Sequence, residues 1–269
     1  MGDSARGVTL GQSFEHCRRM ARGSSFYPAF FLVDRERRRA LWTVYAFNRR
    51  CDDLSDSPEA SLAGLQEWRA QLDAALAGGK VEDAIWPAFV DTARRYEIPV
   101  SCFHGMIDGV SSDLTQSTRE TYDDLYRYCF QVASVVGISV ACIFGAQSEE
   151  ARKLAERNGV AVQLTNILRD VREDEELGRT YLAQEDLRRY GRQGTLREYG
   201  RRAKALFEEG RPLLEMVEKS TRPCLRGILD TYGALLAKME RRDFDVSGER
   251  VRLSKAEKLG VLAKALLRG

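Results

Sequence analysis

The stretch that decides how this chain folds is Gln163-Leu-Thr-Asn-Ile-Leu-Arg-Asp-Val-Arg-Glu-Asp174, at the end of a long apolar segment. Steps of four residues advance only about 40° around an α-helix, so Asn166, Asp170 and Asp174 share one face. Carboxylates stacked in this way repel each other and weaken their helix, which points to a compensating cation. The amides of Gln163 and Asn166 agree with this, because an amide in an apolar segment needs polar partners.

A second acidic cluster, Asp52-Asp53-Leu54-Ser55-Asp56, follows another apolar helical stretch, and Asp52 and Asp56 share its face. One such cluster alone is weak evidence, since acidic helix ends often face solvent. Two of them facing across a helical bundle are a recognised way to build a metal site. Mg²⁺ binds phosphates together with one or two carboxylates, so the pair predicts a Mg²⁺-diphosphate site.

The bulk properties exclude several classes of protein. The chain has 269 residues, is 43% hydrophobic and 30% charged, and carries a net charge of only +2. The charges are interleaved without a basic face, so no nucleic-acid partner is expected. The six cysteines contain no CxxC pair, which favours buried, reduced thiols in a cytoplasmic protein. The two histidines leave little scope for zinc sites or histidine-based triads.

The chain is predicted to be one all-α domain spanning residues 1–269, in which the first 20 residues could form a flexible N-terminus. The longest apolar run, residues 135–146, is too short to cross a bilayer. We therefore expect a cytoplasmic protein with at most a peripheral contact at the inner face of the membrane. Loops are predicted at 78–79 and 191–194. Apolar spacing predicts helices over residues 36–50, 62–76, 122–144, 151–171, 196–217 and 222–242.

Arginines flank both acidic clusters. Arg49 precedes the first cluster, while Arg169 lies within the second and Arg179 follows it. Guanidinium groups bind phosphate through two parallel hydrogen bonds, which suits a pyrophosphate leaving group. The alternative is a set of surface salt bridges of little energetic value, and we favour that alternative for Arg50 and Arg172.

Three aromatic residues, Phe26, Tyr45 and Tyr128, have two possible roles. They are either ordinary core residues, or they line an apolar channel and face a cationic intermediate through their π clouds. The sequence leaves both roles open.

Five blocks, in order along nearly the whole chain, resemble the squalene and phytoene synthase family, and bacterial presqualene diphosphate synthases most of all. They are Gly23-Ser-Ser-Phe-Tyr27, Arg38-Arg-Ala-Leu-Trp-Thr-Val-Tyr-Ala-Phe-Asn-Arg-Arg-Cys-Asp-Asp-Leu-Ser-Asp56, Tyr128-Cys-Phe-Gln-Val-Ala-Ser-Val-Val-Gly137, the stretch 163–174 quoted above, and Gly178-Arg-Thr-Tyr-Leu182. One departure is Ser134, which stands where the family usually has glycine.

The resemblance implies an isoprenoid synthase fold, a single-domain helical bundle around a central apolar cavity. It implies catalytic roles for Tyr128, Arg49 and Arg169, with Tyr128 assisting proton removal and diphosphate departure. Two or three Mg²⁺ ions are expected with bound diphosphate, and their implied ligands are Asp52, Asp56, Asn166, Asp170 and Asp174. The implied substrate-binding residues are Phe26, Tyr45, Arg49, Gln163, Arg169, Arg179, Tyr181, Tyr232, Arg250 and Lys258.

The activity implied by the resemblance is the head-to-head condensation of two farnesyl diphosphates to presqualene diphosphate, with release of pyrophosphate, in hopanoid or squalene biosynthesis. The alternatives are a phytoene or dehydrosqualene synthase of the carotenoid route, or a squalene synthase that reduces its product with NADPH. NADPH is not expected here, and downstream enzymes of the pathway are expected partners. A noncatalytic assembly or binding relative is the alternative from another class, but such relatives tend to lose metal ligands that this chain retains.

Overall fold

The computed structural model describes residues 8–57, 59–246 and 248–268, and within them the regular structure is helical, as predicted. A single isolated β-bridge joins Thr118 and Thr180 in this part of the chain. The helices are α1 (Leu10–Ala21), α2 (Arg35–Asp56), α3 (Leu62–Leu76), α4 (Trp86–Arg95), α5 (Val100–Asp113), α6 (Tyr122–Cys129), α7 (Val135–Ile143), α8 (Glu149–Glu176), α9 (Gln184–Gly210), α10 (Leu213–Met216), α11 (Arg222–Glu240) and α12 (Lys255–Leu267). A π-helical turn, Phe130–Ser134, joins α6 to α7 without a break.

Helices are present at all the predicted positions, and α3 has the predicted bounds, but the helix predicted over residues 196–217 is divided between α9 and α10. The sequence did not predict α1, α4, α5 or α12. Much of the N-terminal stretch that the sequence allowed to be flexible is helical, since Thr9 caps α1 and Phe14 and Cys17 are buried on its inner face. Residues 1–7 lie outside the described part of the chain. At the start of the expected 191–194 loop, two helical segments of α9 meet at a kink, where Gly191 has a non-helical backbone with a φ of 67° and a ψ of 171°.

Helix α2 begins where the side chain of Asp34 accepts hydrogen bonds from the backbone N–H groups of Glu36 and Arg37. Its buried face carries Leu41 and Phe47 into the larger of two hydrophobic clusters. This burial fixes the rotation of the helix about its axis. The last turn, Asp52 to Asp56, consequently points toward α8 rather than away from the bundle.

The helix from α6 through α7, Tyr122–Ile143, is long and apolar enough by composition to cross a membrane. It lies inside the bundle, where Val132, Val136 and Val140 line a cavity. Its π-helical turn packs very closely against α8, since a Cβ on Gly159 would lie 2.4 Å from Ser134 Cα. The hydroxyl of Ser134 donates to the carbonyl of Glu156 at 2.9 Å, so the serine that departs from the family pattern cross-links the two helices.

Candidate active site

A cavity of about 600 Å³ lies between α2, α5, the α6–α7 helix, α8 and α11. Its inner walls are apolar, with Leu41 and Val44 of α2 only 2% and 3% exposed. Asp56 lies fifteen residues further along α2, roughly 20 Å along the helix axis, and its side chain is 60% exposed. The cavity is therefore apolar in its depth and charged where it opens to solvent.

The structure brings together almost the whole predicted set of site residues. All five predicted metal ligands line this cavity, as do Tyr128 and the predicted substrate contacts other than Lys258. Lys258 instead lies beside a separate small cleft, with Phe26, Gly227 and Leu262. The structure thus gives no support to a substrate contact by Lys258.

Two ion pairs at the opening involve the first acidic cluster. Arg179, which follows the second cluster, donates to Asp56 at 3.0 Å and so connects the two clusters directly. Arg49 pairs with Asp53 at 2.9 Å one turn further along α2. Asp53 thus has an ion-pair partner of its own, and it does not belong to the cavity lining.

The second cluster holds Asp170 between two arginines. Arg169 Nε lies 2.6 Å from Asp170 Oδ1, and Arg250 Nε lies 2.7 Å from the same oxygen. Arg250 comes from the loop that precedes α12, so a distant segment closes over the carboxylate. On the adjacent turn, Asn166 Nδ2 donates to Gln163 Oε1 at 3.3 Å. Asn166 Oδ1 is buried and has no hydrogen-bond partner among the residues that the structure describes, which leaves an acceptor free for a ligand.

The electrostatics of the opening favour a cation. Burial raises the pKa of Asp52 to about 7, the charge of Asp56 adds to the increase, and Arg49 opposes it. Burial likewise raises the pKa of Asp174 to about 7, with a further contribution from Asp170. Carboxylates crowded in this way hold protons unless a positive charge takes their place.

The donor chemistry of the opening fits Mg²⁺. Carboxylate and amide oxygens are the hard ligands that this ion accepts. Across the described ranges, no three acidic, histidine or cysteine side chains come close enough to hold an ion by themselves. Such an arrangement suits ions that take one or two carboxylates each and complete their coordination with water and substrate phosphate.

The turn after α8 reverses the chain, so that Arg179 and Tyr181, two predicted substrate-binding residues, line the cavity. Gly178 has a φ of +75°, and the N–H of Arg179 donates to the carbonyl of Asp174 at 2.9 Å. This is a Schellman ending, in which a glycine in the left-handed conformation stops the helix and reverses the chain. Thr180 N then donates to Ser117 O at 2.8 Å, which fixes the strand-like segment that carries Tyr181.

Asp113, at the end of α5, lines the cavity but was not predicted from the sequence. It accepts a hydrogen bond from the Tyr128 hydroxyl at 2.9 Å and an ion pair from Arg119 at 3.2 Å. The guanidinium of Arg119 also lies over the Tyr128 ring, 4.7 Å from its centroid, and Tyr181 stacks on that ring at 5.0 Å. One signal could have found Asp113, because α5 is a third apolar helix that ends in a carboxylate.

Aromatic rings line the cavity below the charged opening, as one of the two sequence interpretations requires. Phe26 and Tyr232 stack at 5.3 Å between centroids, and Tyr45 lies on the α2 side. Burial and the charge of Asp113 raise the pKa of Tyr128 well above its usual value, so its hydroxyl stays protonated at neutral pH. Tyr128 is therefore a hydrogen-bond donor in the resting site.

The two arginines assigned to the surface lie outside the cavity lining. Arg172 pairs with Glu176 at 2.9 Å on the outer side of α8. Arg50 Nε lies 3.8 Å from Asp83 Oδ2, and its guanidinium also lies 5.7 Å from the centroid of the Trp68 ring. Both observations agree with the assignment.

Comparison with known proteins gives the same fold and family. A solved dehydrosqualene synthase matches with a TM-score of 0.89 and 27% identity, over 96% of this chain and 97% of that one. The squalene synthase HpnC from Alicyclobacillus acidocaldarius matches with a TM-score of 0.81 and 30% identity, over 88% and 96%. The 15-cis-phytoene synthase of Synechococcus elongatus is 33% identical, over 97% of this chain and 94% of its own length.

These structural matches confirm the isoprenoid synthase fold. The profile of the squalene/phytoene synthase family matches residues 20–257. Members of this family are prenyltransferases that act on prenyl diphosphates. The chain therefore belongs to the squalene/phytoene synthase family.

Proposed function

We propose that this protein condenses two molecules of farnesyl diphosphate head to head, with Mg²⁺, into presqualene diphosphate and pyrophosphate. The observation that carries the proposal is the arrangement of the cavity. Five carboxylates, an unpaired amide oxygen and several arginines line the charged end of a deep apolar space. Diphosphate groups fit the charged end and prenyl chains fit the apolar end.

In the first step, the bond between C1 and oxygen of one substrate breaks, and both electrons leave with the pyrophosphate. Four arginines line the opening and can hydrogen-bond the oxygens on which negative charge develops. They are Arg49, Arg169, Arg179 and Arg250. Bound Mg²⁺, held by the aspartates and Asn166, would supply further charge stabilisation for the same leaving group.

In the second step, the C2–C3 double bond of the other substrate attacks the allylic cation. Transfer of a proton from C1 of the first substrate to the released pyrophosphate then closes the cyclopropane ring. The stacked rings of Phe26 and Tyr232 can stabilise the cation through their π faces, and the apolar walls keep water away from it. The single hydroxyl proton of Tyr128 is donated to Asp113 in this structure, and rotation of the hydroxyl can direct that proton to a departing diphosphate oxygen instead.

The test is incubation of the purified protein with farnesyl diphosphate, with and without Mg²⁺, followed by identification of the lipid product. Presqualene diphosphate and one pyrophosphate per product are expected only with Mg²⁺. Asp52→Asn and Asp170→Asn should abolish turnover while the circular dichroism spectrum stays unchanged. Undiminished Mg²⁺-dependent pyrophosphate release by either variant would refute the proposed site.

A second candidate is a phytoene synthase, which condenses two C20 diphosphates. It is favoured by the 33% identity to the Synechococcus elongatus 15-cis-phytoene synthase. Parallel reactions with geranylgeranyl diphosphate distinguish the two candidates, since a phytoene synthase would use this substrate in preference to farnesyl diphosphate. Addition of NADPH identifies a reductive squalene synthase by the appearance of squalene. Failure of both substrates in Mg²⁺ would favour a noncatalytic binding role.

A further inference from the structure

Helix α12 presents an apolar side to solvent. Four exposed apolar residues follow each other at helical spacing on one side of α12: Leu259, Ala263, Leu266 and Leu267. Ala265, on the opposite side, is fully buried. Leu259 is 67% exposed, and Leu267 is 86% exposed. A surface helix normally carries polar residues on this side, so the leucines need another explanation.

The inner side of α12 is firmly attached without these leucines. Lys238 of α11 donates to both carboxylate oxygens of Glu257 at 3.0 Å and to the carbonyl of Arg252 at 3.0 Å. Leu262 packs over Gly227, where a Cβ would lie 2.9 Å from its Cδ2 atom. The outward leucines are thus free of a structural role in holding the helix.

The exposed charges of α12 itself are positive. Lys255 and Lys264 are exposed and lie at the two edges of the apolar side. Glu257 is the one acidic residue in positions 255–268, and its charge is paired with Lys238. Leucines bordered by lysine and arginine are typical of helices that lie in the interface of an anionic membrane.

The same helix is close to the candidate active site. A cleft of about 10 Å³ beneath α12 is lined by Leu262, Phe26 and Ile228. Phe26 and Ile228 also line the large cavity, so their side chains separate the cleft from the apolar space. The face of the protein that carries α12 is therefore adjacent to the apolar interior.

We infer that the Leu259–Leu267 side of α12 docks onto an anionic lipid bilayer, with Lys255 and Lys264 at the level of the headgroups. The inference goes beyond the proposed function and needs no substrate. A second copy of the chain is a poorer occupant. In a twofold interface this patch would face itself and bring like charges together around the leucines.

The experiment is flotation of the purified full chain with vesicles of phosphatidylcholine and phosphatidylglycerol, in the absence of substrate. The wild type should float with these vesicles and bind phosphatidylcholine alone more weakly, by about 5-fold for each cation at the surface. The variant Leu259→Gln/Leu266→Gln should bind at least about 10-fold more weakly, because each leucine loses its apolar burial. Leu62→Gln, at an exposed leucine of α3, is the matched control and should bind like the wild type.

Circular dichroism of the double variant checks that α12 stays folded, and Lys255→Gln/Lys264→Gln tests the charges separately. Wild-type binding by the double leucine variant would overturn the inference. The inference would also be overturned if the wild type bound no vesicles and instead formed a soluble dimer that the double leucine substitution dissociates. Turnover of detergent-dispersed substrate should be unchanged in these variants, so failure of the docking surface and failure of the enzymatic proposal are observed separately.

Discussion

The hydroxyl of Tyr128 donates to the carboxylate of Asp113 at 2.9 Å, and this contact joins two helices at the wall of the cavity. Asp113 is also paired with Arg119, which is only 3% exposed. The carboxylate therefore has two tasks, since it orients the tyrosine hydroxyl and neutralises a buried guanidinium.

We expect Asp113→Ala to destabilise the protein, because it leaves Arg119 buried without its ionic partner. Breaking a buried pair costs about 3–5 kcal/mol, which should lower the thermal midpoint by about 10 °C. Asp113→Asn keeps an acceptor for Tyr128 and should therefore be more stable than Asp113→Ala. Its kcat should nevertheless be about 10- to 100-fold below that of the wild type, because the tyrosine is less well oriented. Wild-type kcat in Asp113→Asn would exclude the orienting role.

The metal-free protein should lose stability as pH rises. Asp52 and Asp174 titrate near pH 7 in the fold, against about 4 in an unfolded chain. Between these values the folded state holds protons that the unfolded chain has released, so unfolding becomes easier as pH increases. Thermal melts in chelator from about pH 5 to pH 8 measure this effect. Asp52→Asn should flatten the dependence, and Mg²⁺ should stabilise the protein more at the higher pH.

Arg250→Met should impair catalysis, whereas Arg172→Met should not. Arg250 lies against Asp170 at the opening, and hydrogen bonds to charged groups contribute about 1.5–3 kcal/mol. The expected loss is therefore about 10- to 100-fold in kcat/KM for the prenyl diphosphate. Arg172 pairs with Glu176 on the surface, where such pairs contribute little. Equal effects of the two substitutions on steady-state rates would contradict the assignment of Arg250.

Gly159→Ala should destabilise the bundle, because the new methyl group would meet the backbone of Ser134 at 2.4 Å. Overpacking of this kind costs about 1–3 kcal/mol. Gly233→Ala is the control, since α11 leaves open space around that glycine. Alanine there should stabilise the protein by about 0.4–1 kcal/mol, and denaturant unfolding measures both changes. If Gly159→Ala left the free energy of unfolding unchanged, α8 and the π-helical turn would be able to separate at little cost.

Two of the helices that the sequence failed to predict, α5 and α12, can be compared with the signals in their sequences. In α5, Gly105 and Gly109 look like helix breakers, but both lie against the neighbouring central helix, where a Cβ on Gly109 would be 2.6 Å from Val132. Packing therefore overrides the poor helix propensity of glycine. In α12, the capping box formed by Ser254 and Glu257 was a readable start signal.

The sequence by itself determined the helical class and the two acidic helix ends, and it identified the five residues that are predicted to be metal ligands. These depend on the spacing of residues along one helix, which the period of the α-helix fixes. Only the tertiary structure decided that Arg250 reaches Asp170, that Asp113 holds Tyr128, and that Lys258 lies away from the cavity. Such contacts join residues from different helices, and their partners are set by how the helices pack, which no local pattern records.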